Sequence, residues 1–371
     1  MCWSVCTEDR SKFMDLSVII HGHDGQSHIA GCLRSVTRCP REHIDMECIV
    51  VGGSVKDECA AIVYRYAQRD NRIKLAVLES GETSDARNAG IEAASGRYIL
   101  FLDAADRLCE DAWDQIEAAV GEEYADFVAF SHITSLGNGK LKAQMLPISD
   151  VISTDEREAR RLMYADSVLD TCVGKLFKSR IIRDNNILFR SDLMFEPEVF
   201  KGDVPSKKSW DGVDSVFVAE YFEHSESYLL TKAMIWYAPS RNKYAVKQHS
   251  IKDRVELLGI LYDHHVSAVK RYNDSELMAC MKIYFLKSLM DLFGEYVEAC
   301  CYRRDVVDTL YEGALGTDFL KKFLNELNEQ EIHSKIRRHE YRLLRQGKAS
   351  KIRRYCAVRT GNVAKIRRYF R

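Results

Sequence analysis

The chain has 371 residues, 46% hydrophobic and 29% charged, an ordinary globular balance that excludes a disordered or collagen-like chain and suffices for one large domain or two smaller ones. Its formal net charge of −1 is unevenly placed: Lys335–Arg371 holds 14 Lys and Arg against one acid, Glu340, leaving 40 basic and 54 acidic side chains elsewhere. Twelve scattered cysteines without a CxxC spacing signal neither a zinc site nor a disulfide framework. The N-terminus lacks a leader pattern and no apolar run approaches the ~20 residues of a membrane span. A reduced, cytoplasmic chain is expected.

Residues 1–14 carry no pattern and read as a lead-in. Leu16–Ile20 reads as a strand ending in the polar run His21-Gly22-His23-Asp24-Gly25. Ile29, Cys32, Leu33 and Val36 then recur at helical spacing and stop before Pro40. Glu47–Val51 is a second strand, ending at Gly52-Gly53-Ser54. A helix marked by Ile62, Val63, Tyr66 and Ala67 follows, then an alternating strand at Ile73–Val77 and a helix over Asp85–Ala94 closed by Gly96. Tyr98–Leu102 is a short apolar run with aromatic and β-branched content, bounded by Gly96, and it reads as a buried strand ending in Asp103 and Asp106. Strands alternating with helices imply right-handed βαβ units and a mainly parallel sheet. The ends His21–Asp24, Gly52–Ser54 and Asp103–Asp106 then share one sheet edge, where ligands gather in such folds.

Trp113–Val120 reads as a helix, Asp126–Phe130 as a strand and Leu136–Lys140 as a hairpin-type turn. Residues 155–168 read as a polar helix; Val173–Ile182 is mixed and precedes the turn Asp184-Asn185-Asn186. From Val255 to Val297 the apolar residues follow helical stripes, which serve core burial rather than cofactor binding. Lys-Ile-Arg-Arg occurs at 335–338, 351–354 and 365–368. Such a segment suits either an anionic membrane surface or a solvated tail. Nucleic acid is a poorer partner, because no recognised nucleic-acid motif accompanies the charge.

Four stretches carry a resemblance: Ile20-His21-Gly22-His23-Asp24, Val51-Gly52-Gly53-Ser54, Ser84-Asp85-Ala86-Arg87-Asn88-Ala89-Gly90-Ile91, and Gly96-Arg97-Tyr98-Ile99-Leu100-Phe101-Leu102-Asp103-Ala104-Ala105-Asp106. In order, spacing and framework they resemble the Pro-Val-Tyr-Asn, Asp-Asp-Gly-Ser, Gly-Leu-Ser-x-Ala-Arg-Asn-x-Gly-Ile and Gly-x-Tyr-Ile-x-Phe-Leu-Asp-x-Asp-Asp text of family 2 glycosyltransferases. Later, Gly174-Lys175-Leu176-Phe177, Asn185-Asn186-Ile187-Leu188-Phe189 and Phe195-Glu196-Pro197-Glu198-Val199-Phe200 are similar to that family's acceptor-side text. The resemblance implies an α/β GT-A (Rossmann-like) domain over 15–245, with a nucleotide-sugar half at 15–115 and an acceptor half at 116–245. A helical region at 246–332 and a basic tail at 333–371 would follow.

The resemblance also implies a reaction: a sugar passes from a nucleotide-sugar donor to a glycan or lipid-linked acceptor in polysaccharide synthesis, through a metal held by carboxylates and an acidic base. Donor contacts are then expected from Asp24, Ser54, Arg87, Asn88, Asp103 and Asp106. This chain, however, carries Gly52 and Gly53 in place of the nucleobase-side acids, Ala105 in place of the middle metal-site acid and Pro197 at the base position. Glu196 and Glu198 are the candidate replacements for the base. Metal candidates reduce to Asp106 and the pair His21 and His23, so Mn or Mg dependence is expected to be weak or absent. Arg87 and the bases of the tail offer cations that neutralise a diphosphate without metal. Two activities remain open: a transferase with a degenerate site at the inner face of a membrane, or a catalytically inactive relative that acts as a binding or scaffold protein.

Overall fold

The computed structural model describes residues 14–21, 28–40, 42, 44–52, 58–78, 83–121, 125–135, 140–146, 151–153, 155–165, 169–191, 213–238, 251–299 and 304–360. The chain divides into two compact units. One is drawn from Met1–Glu156, Thr171–Phe189 and Tyr221–Ser240, the other from Arg157–Asp170, Arg190–Glu220 and Arg241–Arg371. Segments 157–170 and 190–220 thus group with the later helices.

The first unit is built on a sheet. Strands β1 (Leu16–His21), β2 (Met46–Gly52), β3 (Ile73–Val77) and β4 (Tyr98–Asp103) are joined by helices α1 (Ile29–Val36), α2 (Glu58–Ala67) and α3 (Thr83–Ala93), as the sequence predicts. They lie parallel in the order β3-β2-β1-β4. β1 and β4 are buried on both faces and so read as unbroken apolar runs, whereas edge strand β3 alternates, with Ile73 buried and Lys74 exposed. Helix α3 approaches β1 closely at Gly90, where a Cβ would stand 2.4 Å from Ile19 Cγ2. At the strands' starting edge, buried Glu47 accepts hydrogen bonds from Ser17 Oγ at 2.7 Å, Ser95 N at 2.6 Å and Lys74 Nζ.

Beyond β4 the sheet becomes mixed. After β5 (Arg107–Leu108) and α4 (Ala112–Gly121) come β6 (Phe127–Ser135), β7 (Leu141–Gln144), β8 (Val151–Ser153) and helix α5 (Glu156–Ala165), which leads out of the sheet. The mixed stretch Val173–Ile182 resolves into β9 (Lys175–Lys178) and α6 (Ser179–Asp184), and β9 runs antiparallel between β4 and β6. Strand β6 is longer than the sequence suggests and pairs antiparallel with β7; residues 136–139 of the expected hairpin turn lie outside the described set. β10 (Tyr228–Ala238) pairs parallel with β6 and antiparallel with β5 and β8. It has no clean sequence signature because register shifts at Thr231/Met234 and Met234/Trp236 break its period of two.

Helices dominate the second unit: most of α5, α7 (Val213–Phe222) up to Glu220, then α8 (Ile251–Lys270), α9 (Ser275–Ala299), α10 (Arg304–Leu315), α11 (Asp318–Glu326), α12 (Lys335–Gln346) and α13 (Ala349–Arg359). α8 packs on α9 and α10, and α13 packs on the same two helices. Leu258, Leu261, Phe285, Leu289, Phe293, Phe323 and Tyr311 form the core. His265 is fully buried, with Tyr164 Oη 3.0 Å from Nδ1. Burial, followed by the charge of Arg160, pulls its pKa down to about 3, so it stays neutral.

Up to Thr360 the basic segment forms a helical pair, in keeping with the helical alternative for this stretch. Ser334 caps α12 by accepting from Arg337 N, and Gly347 closes it at φ 61°. Tyr341, Leu344, Ile352 and Cys356 enter the core, so Ile352 cannot serve as the membrane contact that its motif suggests. Several bases are occupied internally: Arg337 and Arg359 pair with buried Glu340, and Arg353 pairs with Asp308 at 2.8 Å. The third Lys-Ile-Arg-Arg copy lies outside the described residues.

Candidate active site

The strand order reverses at β1. The chain moves outward from β1 to β2 and β3, then returns to lay β4 on the other side of β1. A reversal of this kind opens a crevice beyond the carboxyl ends of the strands. His21 is paired with Asp103 across the β1–β4 boundary and with Val51 across the β1–β2 boundary, so the three expected strand ends do share one edge.

Asp103 ends β4 as a buried carboxylate, 4% exposed. Arg87 of α3 reaches it, with Nη2 3.6 Å from Oδ1, and is itself only 7% exposed. The Phe189 ring lies 5.0 Å from the guanidinium centre and meets Phe101 edge-on at 5.4 Å. Asn88, the next residue of α3, fixes the Phe189 backbone through two hydrogen bonds: Nδ2 donates to the carbonyl at 2.8 Å and Oδ1 accepts from the amide at 2.8 Å. The Ser84–Ile91 text thus places two side chains on Phe189 and one on Asp103.

Asp106 is also buried, and its Oδ2 accepts from Asp103 N at 3.1 Å, while Asp106 N donates to Asp103 O. This closes a turn that sets the direction of Asp103. Ala104 N donates to the His21 carbonyl, so the turn is also anchored to β1. His23, Asp24, Ser54, Glu196 and Glu198, with Gly53 and Pro197, lie outside the described residues. Among the described residues no three His, Cys, Asp or Glu side chains form a cluster that would hold a metal ion. The reason is local: Arg87 occupies Asp103, the turn occupies Asp106, and the position between them is Ala105. These residues do not fit a divalent cation.

Three further residues reach this edge without having been singled out as site residues. His132 of β6 stacks on Trp236 of β10 with centroids 4.3 Å apart, and β5, just past Asp106, pairs with Trp236. Gly174 holds φ +68° and lies against the indole: a Cβ there would be 2.0 Å from Trp236 Nε1. The Gly174-Lys175-Leu176-Phe177 text pointed to this region, but β10 carried no signal of its own.

Residues 17–184 match the family model described as Glycosyl transferase family 2. Relatives include the uncharacterized glycosyltransferase EpsJ of Bacillus subtilis, 24% identical over 182 residues that cover 48% of this chain and 52% of EpsJ. Poly(ribitol-phosphate) beta-N-acetylglucosaminyltransferase TarS of Staphylococcus aureus is 22% identical over 182 residues, covering 48% of this chain and 30% of TarS. The chain therefore spans about half the length, or less, of these two relatives. Among solved structures, residues 1–349 of Staphylococcus aureus TarS in complex with UDP-GlcNAc superimpose with a TM-score of 0.63 at 18% identity, covering 94% of this chain and 92% of that one. The parallel β3-β2-β1-β4 order, the Arg87–Asp103 pair at its reversal and the family match together assign residues 17–184 to glycosyl transferase family 2, on a GT-A fold.

Proposed function

We propose that this protein transfers a sugar from a nucleotide-sugar donor to a glycan or lipid-linked acceptor in the synthesis of a surface polysaccharide. The observation that carries the reading is the buried Arg87–Asp103 pair at the β1/β4 reversal. In this reading Asp103 accepts hydrogen bonds from the donor ribose, and Arg87 contributes positive charge towards the diphosphate as the bond to the sugar breaks. The binding of UDP-GlcNAc and UDP by TarS, whose fold this chain shares, supports a uridine nucleotide as the donor's carrier. Glu196 or Glu198 takes the proton of the attacking hydroxyl. With Gly52 and Ala105 at acid positions, the site works without a carboxylate-held metal. The protein is peripheral at the cytoplasmic face of a membrane, held by cations of its C-terminal segment; no helix among the described residues is long and apolar enough to cross one.

Calorimetric titration of the full chain with UDP and a panel of nucleotide sugars tests the donor assignment. Binding is expected, with roughly tenfold or greater weakening in Asp103→Asn, the scale of one charge-assisted hydrogen bond. A second reading, a non-catalytic relative, draws on the engagement of Asp103 and Asp106 within the protein. Absence of binding to every nucleotide would leave that second reading standing.

A further inference from the structure

Helix α9 carries two faces of different character. Leu277, Met281, Phe285, Leu289 and Phe293 form the expected apolar stripe and are buried. Beside it runs a second stripe at the same helical spacing, Tyr284, Lys287, Ser288, Asp291 and Glu295, which is rich in charge. A stripe of this composition normally faces water. Here it borders a cavity of about 250 Å³ in the helical unit, completed by Arg254 of α8 and by Asp170.

The walls alternate in chemistry. Arg254, 3% exposed, bonds Glu295 Oε2 through Nη1 at 3.2 Å, while its Nε has no hydrogen-bond partner among the described residues. Tyr284 donates to Asp170 Oδ2 at 2.9 Å. Asp291 is ion-paired with Arg359. Lys287 has no ionic partner among the described residues. Three carboxylates disfavour an anion, and the cations Arg254 and Lys287 disfavour a cation. Neutral hydroxyl groups, which donate to carboxylates and accept from ammonium and guanidinium groups, suit both kinds of wall. The volume lies below the ~300–1,000 Å³ of pockets for drug-sized ligands, which matches a single sugar or alditol unit.

We propose that this cavity is a second binding site, taking one neutral polyol unit such as a sugar or alditol residue of a glycan. It belongs to the helical unit alone, and its occupancy does not require the transfer reading.

Saturation-transfer NMR on the full chain tests it, with xylitol and methyl glucoside as probes, with and without saturating UDP. At least one probe should show transfer that survives UDP. The signal should fall at least fivefold in Ser288→Trp, which fills the cavity, and in Lys287→Met, which keeps the stem and removes the charge. Unchanged circular dichroism and melting of the two variants would show that they fold. No transfer to either probe, equal transfer in both folded variants, or loss of the signal with UDP would each overturn the proposal. So would transfer to free lysine in place of the polyols. If both variants fail to fold, wild-type spectra with 2-deoxy-glucoside in place of methyl glucoside decide the question: undiminished transfer counts against hydroxyl recognition, and a fivefold drop supports it. Failure of the donor reading appears separately, as absence of nucleotide binding with the polyol signal intact.

Discussion

Arg87 shows how much a single residue can carry at this edge. Its guanidinium meets the Asp103 carboxylate on one side and the Phe189 ring on another, a combination that an ammonium does not reproduce. Arg87→Lys should weaken UDP binding about tenfold in calorimetry, and a variant with wild-type affinity would remove Arg87 from the donor site. Glu47 is an equally buried charge with a different task, at the opposite end of the strands. Burial pushes its carboxyl up, but hydrogen bonds from Lys74, Ser17 and Ser95 outweigh this and hold it below the ordinary 4.5. A depressed folded-state pKa contributes stability that is present above the unfolded value and is lost as pH falls through the folded one. Glu47→Gln should therefore cost about 2 kcal/mol near pH 7 and progressively less below pH ~4.5. Denaturant melts across that range give the test, and a cost independent of pH would contradict the linkage. Asp103 was legible in the sequence as the acid that ends an apolar strand, and Arg87 through the family resemblance of its stretch. The roles of Phe189 and Asn88 were not, because their contact spans 101 residues of chain.

At the scale of elements, legibility followed burial geometry. β1 to β4 are parallel, mostly buried strands, and their apolar runs announced them. β10 is interrupted by register shifts, and α12 and α13 were hidden beneath their charge. β10 depends on Gly174, whose positive φ and contact with Trp236 leave no room for a Cβ. Gly174→Ala should cost about 2–4 kcal/mol and disturb the Trp236–His132 stack. Indole fluorescence together with a thermal melt reads both effects, and a neutral substitution would show that the strand relaxes freely. The folded α12–α13 pair changes how membrane attachment is tested. A chain ending at Ile332 would expose the core around Phe293 and Tyr311, so its failure to bind vesicles would say nothing about charge. Replacing exposed Lys335 and Lys348 with Glu, and Ile336, 62% exposed, with Asp, leaves the core intact. Each base near an anionic surface contributes ~1 kcal/mol. The triple variant should lose most co-sedimentation with phosphatidylserine vesicles at low salt. Equal pelleting of variant and wild type would remove this helical pair from any membrane contact.

For the whole molecule, the question is whether an intact GT-A frame that lacks the usual acids works in a different way or not at all. The frame itself is complete: the parallel order, the reversal at β1 and the Asp103 turn are all present. What has changed is the charge at the strand ends, and the structure has room to restore it. A Cβ at Gly52 would meet no atom of the described residues within 4 Å, and Ala105 is partly exposed. The double substitution Gly52→Asp, Ala105→Asp therefore should fold with little loss of stability. If Arg87 serves the diphosphate in place of a metal, UDP should bind the wild type equally with Mn²⁺ and with EDTA. The double variant should then gain Mn²⁺-dependent affinity, since an added carboxylate beside Asp103 and Asp106 begins a hard-cation site. Calorimetry with and without Mn²⁺ on both proteins separates the cases. Wild-type binding that requires Mn²⁺ would refute metal independence. A wild type that binds no nucleotide, beside a double variant that does, would mean that the missing acids had removed donor binding itself and that the natural chain acts through some other surface.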